Sequence, residues 1–366
     1  MAVIQSAVPV FIGYTEKAVK KGEELKLKPT RIKSPIEYEE WFGKGARSGD
    51  IEISVDESEA NPRRPEVLVT KLTAPAYKMY EALQLYFNNG GGPCWIISVG
   101  TFAEGGTPDA DELKKGIPPA VKVKDITILV FPDGTGADAD DTINKYSGLI
   151  TDALKHCEKM KNRVTLIDVP DRFGMDEVEE KFQDKMPVDI DIKKYGIAYY
   201  PFLASTLAYA YDPKKVKVTK HLKADGTDGD LKTKTLEAIG AGKAAEGEAP
   251  AEKPNELIAQ KIIGAISNYP VVLPPSSAVA GVYVRTDALQ GVWKAPANVS
   301  VFGVIKPTLD LDDDDHATLN APSNGKAINV IRAFPGRGLL VYGARTLAAN
   351  SLEWRYVNVR RTFCFI

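Results

Sequence analysis

The sequence predicts a mixed α/β protein of several parts, organised on a largely parallel sheet, and three observations carry that prediction. First, the centre of the chain alternates strand-like and helical runs. Ile126–Phe131 is apolar and strand-like, Thr142–Met160 helical, Val164–Asp168 a strand, Met175–Met186 helical, and Gly196–Phe202 a strand. Strands separated by helices of this length make βαβ units, which require parallel pairing. Second, three short apolar runs near the C-terminal end, 327–331, 339–342 and 356–359, also read as strands. Phe334-Pro335-Gly336-Arg337-Gly338 separates the first two and reads as a tight reversal, since Pro fixes φ and Gly admits φ > 0. Third, 366 residues with 44% apolar and 26% charged side chains are ordinary for a globular protein and allow two or three sizeable cores.

Taken in order, residues 3–14 form an apolar run with Pro9 where no backbone donor is needed, hence a strand. Residues 16–34 are lysine-rich and turn-like. A short helix over Pro35–Gly43 follows, because Ser34 can cap it and Pro35 suits its first position. Alternation in Ile51-Glu52-Ile53-Ser54-Val55 and in Val67-Leu68-Val69 makes 49–72 strand-like. Met79, Leu83 and Phe87 recur at helical spacing, so Ala76–Asn88 is a helix that stops at Asn88-Asn89-Gly90-Gly91-Gly92-Pro93 before a strand over Cys94–Val99. Residues 212–256 change character. Asp225-Gly226-Thr227-Asp228-Gly229-Asp230 is turn-forming, and Ala238–Glu252 is a low-complexity Ala/Gly/Glu stretch, so the segment reads as an exposed, mobile insertion open to proteolysis within 225–253. A helix over Glu256–Ser267 then places Leu257, Ile258, Ile262, Ile263 and Ile266 on its apolar side. No repeat of fixed period is visible.

Composition excludes several classes. The formal net charge of −2 argues against wholesale nucleic-acid binding. The longest apolar-looking run, Ala198–Tyr211, is interrupted by Pro201, Ser205 and Thr206 and falls short of the ~20 residues of a membrane span. No basic-then-apolar leader opens the sequence, which argues against Sec-type export. Cys94, Cys157 and Cys364 are odd in number and scattered, and no histidine lies near a cysteine at ligand spacing, which suits a reducing cytosol rather than a disulfide or zinc framework. Charge is distributed unevenly. Residues 326–366 carry seven cations (Lys326, Arg332, Arg337, Arg345, Arg355, Arg360, Arg361) against Glu353, a net +6, which leaves about −8 for the remainder. A cationic element on an acidic body suggests a surface for an acidic partner.

Several strings also resemble a known family. Ile331-Arg332-Ala333-Phe334-Pro335-Gly336-Arg337-Gly338, Tyr342-Gly343-Ala344-Arg345-Thr346-Leu347 and Glu353-Trp354-Arg355-Tyr356-Val357-Asn358-Val359-Arg360-Arg361 closely resemble the C-terminal signature of contractile tail sheath proteins. That family wraps the tails of contractile phages, R-type bacteriocins and phage-like injection systems. Ala7–Glu16, Tyr77–Val99, Pro274–Gly281 and Gly291–Asn298 resemble it too, whereas 15–75 and 212–256 carry no matching string. The placement of matched strings and the composition of the unmatched segments together suggest five parts: an N-terminal strand (1–20) joining the core, a β-rich protruding segment (21–75), an α/β domain (76–211), a flexible insertion (212–256) and a C-terminal α+β sheath domain (257–366) built together with the N-terminal strand. It implies a structural subunit, assembled in the bacterial cytoplasm, that polymerises helically around an inner tube and contracts to drive it through a target envelope. The implied partners are other copies of the chain, the tube protein, and baseplate and terminal cap proteins, with no cofactor, no nucleic acid and no membrane insertion. Sheath proteins usually begin further upstream and continue past the final Phe-Ile with strands donated to neighbours. The present sequence, made alone, is therefore expected to remain a monomer.

Candidate chemistry is weaker. Asn89-Gly90-Gly91-Gly92-Pro93-Cys94 offers glycine amides for an oxyanion and a thiol nucleophile, but Pro93 removes a donor and a helix stop with a buried Cys94 accounts for the string. The loop from Asp133 to Asp141 follows a strand and precedes a helix, where α/β sheets bind phosphate. It lacks both the Walker lysine and the dinucleotide glycine spacing, and its four acids would repel phosphate. The run Asp312-Asp313-Asp314-Asp315 lacks the order of a calcium loop and reads as a solvated face or as a patch that meets a basic neighbour. The assembly-surface candidates are Arg332, Arg337, Arg345, Arg355, Arg360 and Arg361, with Asp312, Asp313 and Asp314; some of the arginines are expected to form internal ion pairs instead. A cytosolic α/β enzyme using Cys94 or the Asp133–Asp141 loop is the rival reading, and a non-contractile adaptor or cap of the same tail is a third.

Overall fold

A computed structural model of the chain describes residues 5–366 apart from 62, 64, 104, 138–142 and 242–254. Within these the chain divides into two compact units, one of residues 1–45, 76–205 and 272–366, the other of 46–75 and 206–271.

The first unit is organised on a nine-stranded sheet among the described residues. Its strand order is Val299–Ser300, Gly338–Tyr342, Ile328–Phe334, Gly196–Tyr200, Val164–Asp168, Ile128–Val130, Pro9–Thr15, Cys94–Thr101 and Thr30–Ile32. The six strands from Ile328–Phe334 to Cys94–Thr101 run parallel, and antiparallel strands close both edges. The four central strands, Gly196–Tyr200, Val164–Asp168, Ile128–Val130 and Pro9–Thr15, bury every residue, because a parallel sheet is covered on both faces. The N-terminal strand and the C-terminal hairpin therefore share one sheet. Chain order reverses at Pro9–Thr15, which lies between Cys94–Thr101 and Ile128–Val130. That reversal is a topological switch point, the position where open α/β sheets place their crevice.

Helices follow their sequence signals with trimmed ends. Ser34 caps Pro35–Phe42 by accepting the Glu37 amide hydrogen bond. The helix expected from Ala76 begins at Met79, and the one expected to Met186 breaks at Lys181 into a short 3₁₀ turn over Gln183–Lys185. Thr142, the expected start of the long central helix, lies outside the described residues, and that helix runs Asn144–Met160. One element differs in kind. The run 356–359 is the start of a helix, Val357–Phe365, rather than a strand. Val357, Arg360 and Arg361 form its buried face, a helical i, i+3, i+4 set, and the four apolar-looking residues were too few to reveal the period.

The second unit pairs Val216–Leu222 in parallel with Ile51–Asp56, which pairs antiparallel with Glu66–Leu72. Its core brings Ile53 and Val218 against Leu236, Ile239, Ile258 and Ile262. Part of the expected mobile insertion is thus a strand and a packed turn, since Val216, Val218 and Leu231 supply the apolar surface that its Ala/Gly/Glu stretch lacks. Residues 242–254 of that stretch lie outside the described residues. The unit begins at Ala46 rather than at residue 21, because Thr30–Ile32 extends the large sheet. In the helix Glu256–Ser267, Ile258, Ile262 and Ile266 are buried, while Leu257 and Ile263 face out.

Candidate assembly surface

The hairpin Ile328–Phe334 to Gly338–Tyr342 turns at Pro335-Gly336-Arg337. Gly336 and Gly338 both take φ of 74° there, and the Arg337 amide donates to the Phe334 carbonyl at 3.0 Å. Arg337 stands exposed at the tip. Arg332, on the strand, is instead drawn inward. Its guanidinium sits 5.2 and 5.6 Å from the ring centres of Phe334 and Tyr342 and pairs with Asp313 at 2.6 Å. That hydrogen bond from Arg332 holds the Asp313 carboxyl below the ordinary carboxylate range.

The acidic run proves to be a helix start. Asp312 caps Asp313–Asn320, accepting from the amides of Asp314 and Asp315 at 2.9 Å each, while the Asp315 carboxylate accepts from the Asp312 amide at 3.0 Å. Acids in the first turn complement the positive end of the helix dipole. Asp312 and Asp314 remain exposed to solvent.

Beyond the hairpin the chain is tied by Asn329, which is fully buried. Its amide nitrogen donates to the carbonyls of Ala198 at 3.1 Å and Arg345 at 2.8 Å, and its oxygen accepts the Arg345 amide at 2.7 Å. Gly343 passes so close that a Cβ there would lie 2.7 Å from the Asn329 oxygen, and its φ is 146°. Arg345 and Arg355 are half-buried, with Arg355 5.6 Å from the Tyr356 ring centre.

The last two arginines lie inside. Arg360 is sandwiched 4.7 Å from the ring centre of Tyr195 and 4.5 Å from that of Trp354. Arg361 forks onto Asp287 at 2.9 and 2.6 Å, donates to the Ser6 carbonyl at 3.3 Å, and covers the Tyr283 ring at 4.6 Å. Ser6 Oγ closes the set by donating to Asp287 at 2.5 Å. Arg360 and Arg361 are therefore packing residues of the single chain, and Arg332 is largely one as well. No sequence feature singled out Asp287. Its signal is a carboxylate four residues after Tyr283 on a largely buried helix, Ser276–Gln290.

The glycine string and Asp133, the described start of the aspartate loop, are engaged by the fold. The amides of Gly90, Gly91 and Gly92 donate to the Phe87 carbonyl, the Tyr86 carbonyl and the Tyr86 hydroxyl, at 3.0, 3.0 and 3.1 Å. Asn89 accepts the Phe302 amide at 2.8 Å. Cys94 is fully buried on its strand, and that burial raises its thiol far above the usual range, leaving no thiolate to attack. At the switch point Asp133 fills the crevice itself, accepting the amides of Lys78 at 2.6 Å and Tyr14 at 2.8 Å. Lys78 is the N-cap of Met79–Asn88 and makes no side-chain cap of its own, so Asp133 caps that helix from afar. Gly13 admits the carboxylate, since a Cβ there would stand 2.5 Å from its oxygen. Asp168 repeats the device for Ser276–Gln290, accepting Ser276 N–H at 2.7 Å and its hydroxyl at 2.6 Å. Asp138, Asp140 and Asp141 lie outside the described residues.

A family model described as the phage tail sheath protein central domain matches residues 120–347. A tail sheath protein of Burkholderia phage BcepMu is 32% identical over 107 residues, which is 28% of this chain and 22% of that protein. The alignment thus spans only about a fifth of that relative's length. Among solved structures, the chain is similar to one in the six-fold symmetrised baseplate of the anti-feeding prophage, at 25% identity and a TM-score of 0.56, covering 99% of this chain and 68% of that one. It also shares its fold with the contracted helical sheath of the anti-feeding prophage (24% identity, TM-score 0.56, 98% and 67% covered). The same holds for the contracted PVC sheath of an extracellular contractile injection system (23%, TM-score 0.54, 98% and 65%).

Proposed function

Because the chain belongs to the phage tail sheath family, we propose that it is a structural subunit that stacks helically with its own copies around an inner tube and drives that tube by contraction. The observation that carries this reading is the family match over 120–347, on a chain whose whole length follows the fold of contractile-particle subunits. Assembly takes place in the bacterial cytoplasm, with baseplate proteins at one end of the sleeve and a cap at the other. The extended sleeve is the less stable of two packings, and contraction releases the difference.

Within this reading the cationic segment has two layers. Arg360 and Arg361 brace the C-terminal helix from inside, and Arg332 ties the hairpin to the exposed Asp313. Arg337, Arg345 and Arg355, together with Asp312 and Asp314, form the outward layer that meets an acidic tube or a neighbouring copy. Exposed side-chain pairs are individually worth little, about 0–1 kcal/mol, so the layer acts through repetition along the sleeve.

The test is co-expression with tube and baseplate proteins of a contractile particle, followed by negative-stain electron microscopy. Wild-type protein should give striated sleeves on tubes. The triple variant Arg337→Glu, Arg345→Glu, Arg355→Glu should give bare tubes with an unchanged circular dichroism spectrum. Normal sleeves from the variant would sink the surface assignment, and absence of any wild-type assembly under all such conditions would sink the function.

A further inference from the structure

In the second unit His221 is 5% exposed and locked between two partners that define its tautomer. The Leu231 amide points at Nδ1 at 3.2 Å, and a backbone N–H can only donate, so Nδ1 carries no proton. The proton therefore sits on Nε2, which donates to the Glu57 carboxylate at 2.9 Å. The ring is enclosed by the turn that supplies Leu231. Gly229 donates to the His221 carbonyl at 2.9 Å, and a Cβ on Gly229 would stand 1.9 Å from Nδ1, so only glycine fits over the imidazole.

We propose that His221 is a pH-sensitive latch that holds the turn 223–231 against the strand Val216–Leu222 when neutral and releases it when protonated. Adding a proton to Nδ1 sets two donors face to face and removes the acceptor of a buried amide. At the same time the imidazolium gains charge attraction to Glu57 and stays seated on that side. The two consequences fall on different elements: the link to the segment after Ile51–Asp56 tightens, whereas the link to the turn breaks. Other charges around the ring are Asp230, paired with Lys223 at 3.0 Å, and Asp228, paired with Lys232 at 2.7 Å, both on the turn. Asp56, which accepts from Ser58, stands on the neighbouring strand. Each of these carboxylates is engaged by Lys223, Lys232 or Ser58, so none supplies the Leu231 amide with a new acceptor. The latch is a property of the single chain and holds independently of the assembly proposed above.

Hydrogen exchange with mass-spectrometric readout on the whole chain, at pH 8 and pH 5 with intrinsic rates corrected, tests the proposal. Protection of the peptide containing Leu231 should fall about tenfold at pH 5, the loss expected for one buried hydrogen bond. The strand Ile51–Asp56 should keep its protection. His221→Asn retains an acceptor near the Nδ1 position at every pH, so its Leu231 peptide should exchange alike at both. Nitrogen-15 shifts of labelled histidine, with His221→Asn assigning the signal, should report Nε2–H at pH 8. An Nδ1–H tautomer at pH 8, equal wild-type protection at both pH values, or the same loss in His221→Asn would each overturn the latch.

Discussion

At the scale of single residues, the most consequential groups are carboxylates and an arginine that the fold has buried. Asp168 and Asp133 stand at the carboxyl ends of adjacent parallel strands and satisfy the first amides of two helices, groups that would otherwise be orphaned. Burial outweighs the hydrogen bonds they accept, so the Asp168 carboxyl is pushed up to about 7 and that of Asp133 to about 6. A folded-state value above the unfolded one means that the group's contribution to stability is full below about pH 4 and is lost as pH rises through about 6–7. Asp168→Asn, which keeps the shape, should therefore flatten this part of the pH dependence. Urea midpoints of wild type should fall more between pH 5 and pH 8 than those of the variant, and parallel curves would contradict the assignment. Arg361 is the complementary case. Arg361→Met leaves Asp287 buried and unpaired, at a cost of about 3–5 kcal/mol, whereas removing both charges in Arg361→Met with Asp287→Leu should cost less. Denaturant titration of the two variants decides it.

At the scale of elements, the C-terminal helix Val357–Phe365 and the hairpin before it are held by polar ties as much as by apolar packing. Gly343 is the tightest point, because its φ of 146° and its approach to Asn329 both exclude a side chain. Gly343→Ala should cost on the order of 2 kcal/mol by displacing the Asn329 amide and its three hydrogen bonds, measured as a lower urea midpoint. The helix Asp313–Asn320 shows why the acidic run is not a metal loop. Its first two acids in sequence serve as a cap and as the partner of Arg332, and Asp312→Ala should cost about 1 kcal/mol through the lost cap. A midpoint unchanged in that variant would mean that Asp315 alone holds the helix start.

At the scale of the whole molecule, the second unit is built from two insertions into the first. Each leaves and re-enters at neighbouring positions. Gly49 and Thr73 are bonded at 2.9 Å, and Ala204 pairs with Val272. Since its core is its own, replacing 46–75 and 206–271 by short glycine-serine linkers should leave a folded first unit. Retained near-ultraviolet dichroism and cooperative unfolding would bear this out, and a molten product would show that the large sheet depends on the second unit. Composition, hydrophobic period and turn residues determined the alternating centre, the Ser34 cap, the stop at Asn88, the hairpin around Gly336 and the resemblance that led to the family. These are local properties, encoded within one element's length. Only the tertiary structure decided that 356–359 starts a helix, that Val216–Leu222 pairs with Ile51–Asp56, and that Arg360 and Arg361 face inward. The two arginines depend on partners far along the chain: Tyr195 for Arg360, Ser6 and Asp287 for Arg361. A guanidinium reads the same in sequence whether it faces water or a buried carboxylate, because its burial is set by which distant groups the fold brings within hydrogen-bond reach.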